Sequence, residues 1–156
     1  MMTLLHMEMF YHITETLARK GFDYMNQHKA DLAKYRIDSA KQKLHSAKVL
    51  LDAGEFKDSI SRSYYAIFTS VRAILAIDEV DFSKHSGVIG YFQKEYIKSG
   101  FIEVKYSKFL SGAFQIRNLC DYEDFYVAYK EDAEEQYAKA SEFVGMVIEF
   151  CKSKSL

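Results

Sequence analysis

Glu131–Lys152 reads EDAEEQYAKASEFVGMVIEFCK, and its apolar positions decide the fold. Ala133, Tyr137, Ala140, Val144, Val147 and Cys151 recur at alternating steps of four and three. That period puts them on one face of a helix, whereas a strand would need alternation by two. Glu131, Asp132, Glu134 and Glu135 crowd the first turn, and Lys152 and Lys154 follow the end, the distribution a helix dipole favours.

The same periodicity recurs upstream. Ile37, Ala40, Leu44, Ala47 and Leu51 form an apolar stripe from about Asp31, with Gly54 placed to close the helix. A second core helix, from about Glu55 to Ile77, carries Ile60, Tyr64, Ile67, Val71 and Ile74 on one face and small residues beside them. Val88, Ile89, Phe92 and Tyr96 mark a third, with Ser83 expected as N-cap and Gly100 as terminator. Tyr106, Phe109, Ala113, Ile116 and Cys120 mark a fourth, from about Glu103 to Leu119. Thr3 to Lys20 is expected to form a separate helix stopped by Gly21, an appendage that docks on the bundle or on a second subunit. The chain of 156 residues contains no proline, which suits long helices. The fold class expected is all-α, an antiparallel up-and-down bundle of four to five core helices. Residues 1–33 are an N-terminal helical extension to it, and residues 34–156 are the bundle.

Composition narrows the function. Net charge is −1, so no broad basic field draws the chain to nucleic acid or acidic lipid, although a local basic site remains possible. Two cysteines, Cys120 and Cys151, sit at apolar helical positions and read as reduced thiols. The N-terminal stretch lacks the basic start of a signal peptide, and no apolar run approaches the ~20 residues of a membrane span. A cytoplasmic protein is expected. There is no GxxxxGK[ST], GxGxxG or HExxH motif and no paired-cysteine spacing, so no cofactor and no metal site is assigned.

The chemistry-bearing residues gather in Phe114–Tyr126, FQIRNLCDYEDFY. Arg117, Asn118, Asp121 and Tyr122 follow directly on a core helix. Were the helix to continue, Arg117 and Tyr122 would lie about 140° apart, so they are expected to converge only if it ends between Asn118 and Asp121. An arginine there, beside an amide and a phenol, suits a phosphate group; an Arg117–Asp121 ion pair at a helix terminus is the plainer alternative. The acidic run Asp121, Glu123 and Asp124 reads as a solvated loop. On the second helix Arg62, Tyr65 and Arg72 could face a polar cleft, and Tyr64 reads as a core ring with its hydroxyl at the rim. His85 opens the third helix, where the N-terminal dipole favours a neutral imidazole. It could equally tie a loop to the bundle.

Three segments in order, SRSYYAIFTSVRAIL (Ser61–Leu75), KHSGVIGYF (Lys84–Phe92) and RNLCDY (Arg117–Tyr122), resemble the HEPN superfamily, in the branch that pairs an arginine with an aspartate-tyrosine. The resemblance covers roughly Tyr35 to Lys152. It implies a helical bundle that forms a homodimer, with the arginine motifs of two subunits meeting. It also implies a small nucleotidyltransferase as partner in a toxin–antitoxin pair and, in many members, metal-independent ribonuclease activity. On that basis Arg117 would bind phosphate of RNA or a nucleotide, and Asn118 would be the polar residue after it. Tyr122 stands where a histidine would begin to be allowed, and that histidine is missing. A phenol with a reference pKa near 10 is a poor base at neutral pH. His85 would substitute if the fold brings it close, and Tyr122 or Tyr126 could instead be modified by a partner transferase.

Overall fold

A computed structural model describes residues 4–154. Among them are five α-helices and no strand: α1 (Leu4–Asp52), α2 (Phe56–Ile77), α3 (His85–Phe92), α4 (Val104–Tyr122) and α5 (Lys130–Ser153). The all-α bundle expected from periodicity is what forms.

α2 is the axis of the bundle, since it packs against α1, α3, α4 and α5. Its sequence explains why. Tyr64, Ile67, Val71 and Ile74 are fully buried on its apolar face, and Ala66, Ser70 and Ala73 are fully buried beside them. With apolar residues on one side and small ones on the next, a helix can be covered nearly all round. Ala40 of α1, Ala66 of α2 and Val144 of α5 meet in one cluster, where short side chains let three backbones approach. The α5 heptad is buried as well, with Ala133, Ala140, Val147 and Cys151 at or below 1% exposure and only Tyr137 half-buried. Both cysteines are free thiols, and burial pushes each up to about 11.

Three boundaries before α4 differ from the sequence expectation. Gly21 does not end a helix; α1 runs without a break from Leu4 to Asp52. An interior glycine costs only about 1 kcal/mol relative to alanine, and strong helix formers on both sides absorb that. The extension is therefore helical as read, but it is continuous with the first bundle helix, and residues 5–28 are exposed throughout and do not dock on the bundle. Thr3 lies outside the described residues. Second, Lys84 rather than Ser83 is the N-cap of α3, with an extended backbone and no side-chain cap. Third, α3 widens into a π-helical turn, Gln93–Ile97, before Gly100 closes it at φ 81°. The extra residue in that turn allows both Tyr96 and Ile97 to point inward, and both are buried.

The link from α2 to α3 is held unusually firmly. Asp81 accepts from Arg72 Nη2 at 2.6 Å and from Arg36 Nη2 at 2.7 Å, while Arg36 Nη1 donates to the Arg72 carbonyl at 2.7 Å. The hydrogen bond from Arg72, with that from the Phe82 amide and the charge of Arg36, keeps the Asp81 carboxyl below its ordinary range. Arg72 is thus spent on anchoring this loop and does not line a cleft. Phe82 then lies against Gly87 so closely that an added Cβ would meet the ring atoms at 2.9 Å. These contacts fix where α3 begins, and so where His85 stands. Gly87→Ala is expected to lower stability by about 1–3 kcal/mol, the cost of overpacking, in urea denaturation. An unchanged midpoint would show that Phe82 does not set the position of α3.

Candidate functional site

Arg117 is the one charged side chain among the described residues that is buried, at 4% exposure. A guanidinium cannot lose its proton to escape burial, so its surroundings must compensate it. They do so with rings. The guanidinium carbon lies 4.7 Å from the centroid of Tyr64, 5.4 Å from Tyr65, 5.6 Å from Phe114 and 6.0 Å from Tyr122. All four are within cation–π range. Asp121 Oδ2 stands 3.5 Å from Nη1, a long and partly exposed ion pair. Burial works against the charge, but the Tyr64 and Tyr65 phenols and Asp121 outweigh it and raise the arginine's pKa further. Nε of Arg117, also buried, finds no acceptor among the described residues.

His85 completes the group. Its Nδ1 is 3.0 Å from the Tyr64 hydroxyl and 3.5 Å from Arg117 Nη2. Arginine can only donate, so Nδ1 must be the acceptor and the ring proton belongs on Nε2. Phe68 stacks on the imidazole at 4.2 Å between centroids. Burial lowers the histidine's pKa below 6.5, and the positive charges of Arg117 and Arg72 lower it further. The imidazole is therefore neutral at pH 7, with a lone pair beside a permanent cation. Tyr64 is pushed the other way: burial raises its phenol above the ordinary value of 10, so it remains protonated.

Of the sequence candidates, Arg117, Tyr65, His85, Asp121 and Tyr122 are brought together by these contacts. The helix break expected between Asn118 and Asp121 does not occur, because α4 continues to Tyr122. Arg117 and Tyr122 approach nonetheless, since the long arginine side chain spans the angle that separates their Cα atoms. Asn118, next to Arg117, is half-buried, and Tyr122 is 72% exposed. Arg62, a turn before Tyr65, is exposed; its charge contributes to lowering the pKa of Lys43, which burial lowers first. Two contributions escaped the sequence reading: the partnership of the Tyr64 hydroxyl, placed only at the rim, with His85, and the Phe68 ring. A tyrosine in the middle of an apolar helical face was the available signal, because its hydroxyl must find a partner.

No three His, Cys, Asp or Glu side chains among the described residues lie together as a cation would need. The site can instead offer a fixed positive charge, a neutral imidazole lone pair and exposed aromatic edges. An anion with a hydroxyl close by is the ligand such a set would suit.

Comparison with known proteins agrees with this architecture. The model of the HEPN domain matches residues 33–153. A UPF0332 protein of Thermotoga maritima is 32% identical over 123 residues, covering 79% of this chain and 92% of the relative. A protein of Methanocaldococcus jannaschii named "Putative toxin" is 30% identical over 130 residues, 83% of this chain and 88% of its own. A UPF0332 protein of Pyrococcus horikoshii is 44% identical over 75 residues, 48% of this chain and 53% of its own length. The breadth of the domain match, together with relatives aligned over most of both chains, shows that this chain belongs to the HEPN family.

Proposed function

We propose that this chain is a toxin-type HEPN protein whose Arg117 site binds the phosphate of RNA and cleaves it without a metal. The observation that carries this is the 3.5 Å approach of Arg117 Nη2 to His85 Nδ1. In this reading His85, from another helix, stands in for the histidine absent after the arginine motif. Arg117 would neutralise a phosphodiester, replacing the distant Asp121. With Tyr64 and Arg117 turned to the phosphate, the freed His85 Nδ1 would take the proton of the neighbouring ribose 2′-hydroxyl as that oxygen attacks phosphorus. The bond to the 5′-oxygen breaks, and that oxygen leaves with a proton returned by the imidazolium. The products are a 2′,3′-cyclic phosphate and a 5′-hydroxyl. Asn118 would hold a phosphate oxygen, and Tyr65 and Tyr122 would pack against the sugar or base.

The relatives named "Putative toxin" support a role in a toxin–antitoxin pair. The partner in this reading is a small nucleotidyltransferase, and the working form is a homodimer in the cytoplasm. Among the described residues no helix is long and apolar enough to cross a membrane. A second reading, binding of a nucleotide or RNA end without cleavage, is favoured by one observation: the guanidinium is almost wholly covered by rings, so access depends on Tyr122 moving aside.

The test is RNA cleavage in excess chelator. Arg117→Ala is expected to abolish it, and His85→Ala to lower it by about 10²–10⁴, the usual worth of a general base. The base must be unprotonated, and its folded pKa lies below 6.5, so the rate should rise with pH below that value and be level by pH 7. Cleavage that survives Arg117→Ala would refute the site. Absence of cleavage, with nucleotide binding lost in Arg117→Ala, would favour the binding reading.

A further inference from the structure

The N-terminal half of α1 is a helix that its own chain leaves bare. Residues 5–28 are all exposed, and the first buried residue of α1 is Ala33. At 1.5 Å per residue, these 24 residues extend about 36 Å. Most of a helix's stability in a protein comes from packing of its apolar face, and residues 5–28, all exposed, gain little of it from their own chain.

Its side chains are sorted. At about 100° per residue, Phe10, Leu17 and Tyr24 fall along one edge of an apolar half and Tyr11 and Phe22 along the other. Thr14, Ala18 and Gly21 form the small-residue floor between them. Within residues 7–25 this half carries no Asp, Glu, Lys or Arg; Glu8, Glu15, Arg19, Lys20 and Asp23 all lie on the other half. A Cβ added at Gly21 would meet nothing within 4 Å, so the glycine relieves no crowding inside this chain.

We infer that this segment is a dimerisation arm, which pairs with the same segment of a second copy of the chain. A face that must meet itself cannot carry net charge, and this one has none. Its form also matches itself, because the floor admits a second helix closely and the ringed edges close over it. The area suffices. Phe10, Tyr11, Phe22 and Tyr24 are 62%, 73%, 65% and 75% exposed. At about 150–250 Å² per buried ring, they bring on the order of 400–700 Å². Leu17 and Ile13, 62% and 48% exposed, add to that, against about 800 Å² per partner in a standard interface. A membrane surface fits less well. The polar half has two basic and three acidic residues, net −1, where lipid-binding helices carry a cationic face. The arm goes beyond the proposed ribonuclease reading and does not depend on it.

Hydrogen exchange on the full chain tests the arm directly. Amides of residues 5–28 should be protected, and the protection should rise with protein concentration. Leu17→Glu should remove it while protection of residues 33–153 is unchanged, which also shows that the variant folds. Three results would overturn the inference: no arm protection at any concentration, protection independent of concentration in a chain that sedimentation shows to be a monomer, or protection that appears only with anionic phosphatidylserine vesicles. Arm protection that persists in the Leu17→Glu, Ala18→Glu double variant would overturn it as well.

Discussion

A guanidinium held at 4% exposure is the constraint on which the site end of this molecule depends. Arginine keeps its charge at any accessible pH, so burying it demands electron-rich neighbours on several sides at once. Tyr64 and Tyr65 come from α2, Phe114 and Tyr122 from α4, and His85 from the start of α3. Three helices must therefore keep their relative positions for Arg117 to stay where it is. The same demand settles the state of His85. A protonated imidazole would set a second positive charge against the first, and the two donors aimed at Nδ1 leave it only the role of acceptor.

The rest of the fold can be understood as support for that arrangement. α2 supplies the two tyrosines from a helix enclosed by its neighbours, so their rings have little freedom. Asp81, gripped by Arg36 and Arg72, fixes the loop that ends at His85, and Gly87 admits Phe82 beneath α3. Far from the site, Asp78 accepts from Tyr96 at 2.5 Å and from Tyr91 at 3.0 Å, which ties the end of α2 to the π-helical turn. Each tie links elements close in space but separated in sequence, the kind of cross-bracing a bundle of short connections needs.

Much of the bundle was legible in the sequence because burial on a helix leaves a period that can be counted. The α5 heptad and the α2 stripe are both realised, and Gly54 and Gly100 take the positive φ angles that end their segments. What escaped prediction has physical reasons. Gly21 looked like a stop because glycine is a weak helix former, yet a cost near 1 kcal/mol cannot end a helix with good formers on both sides. A π-helical turn leaves no period of its own. The site was half legible: Arg117, Asp121 and Tyr122 are neighbours along one helix, whereas Tyr64 and His85 join them across 32 to 58 positions of sequence. A tertiary cluster of that kind has no signature in local spacing, so His85 was legible as a histidine at a helix start and as a substitute base only on condition that the fold bring it to Arg117.

The central claim is that Arg117 and His85 act on one another across 3.5 Å. The most direct measurement is the NMR titration of the His85 imidazole in the full chain, assigned by comparison with His85→Gln, in wild type and in Arg117→Gln. The account predicts a midpoint below 6.5 in the wild type that moves upward once the guanidinium is gone, since its charge is one of the causes of the depression. A wild-type midpoint at or above 6.5, unmoved by loss of Arg117, would contradict it.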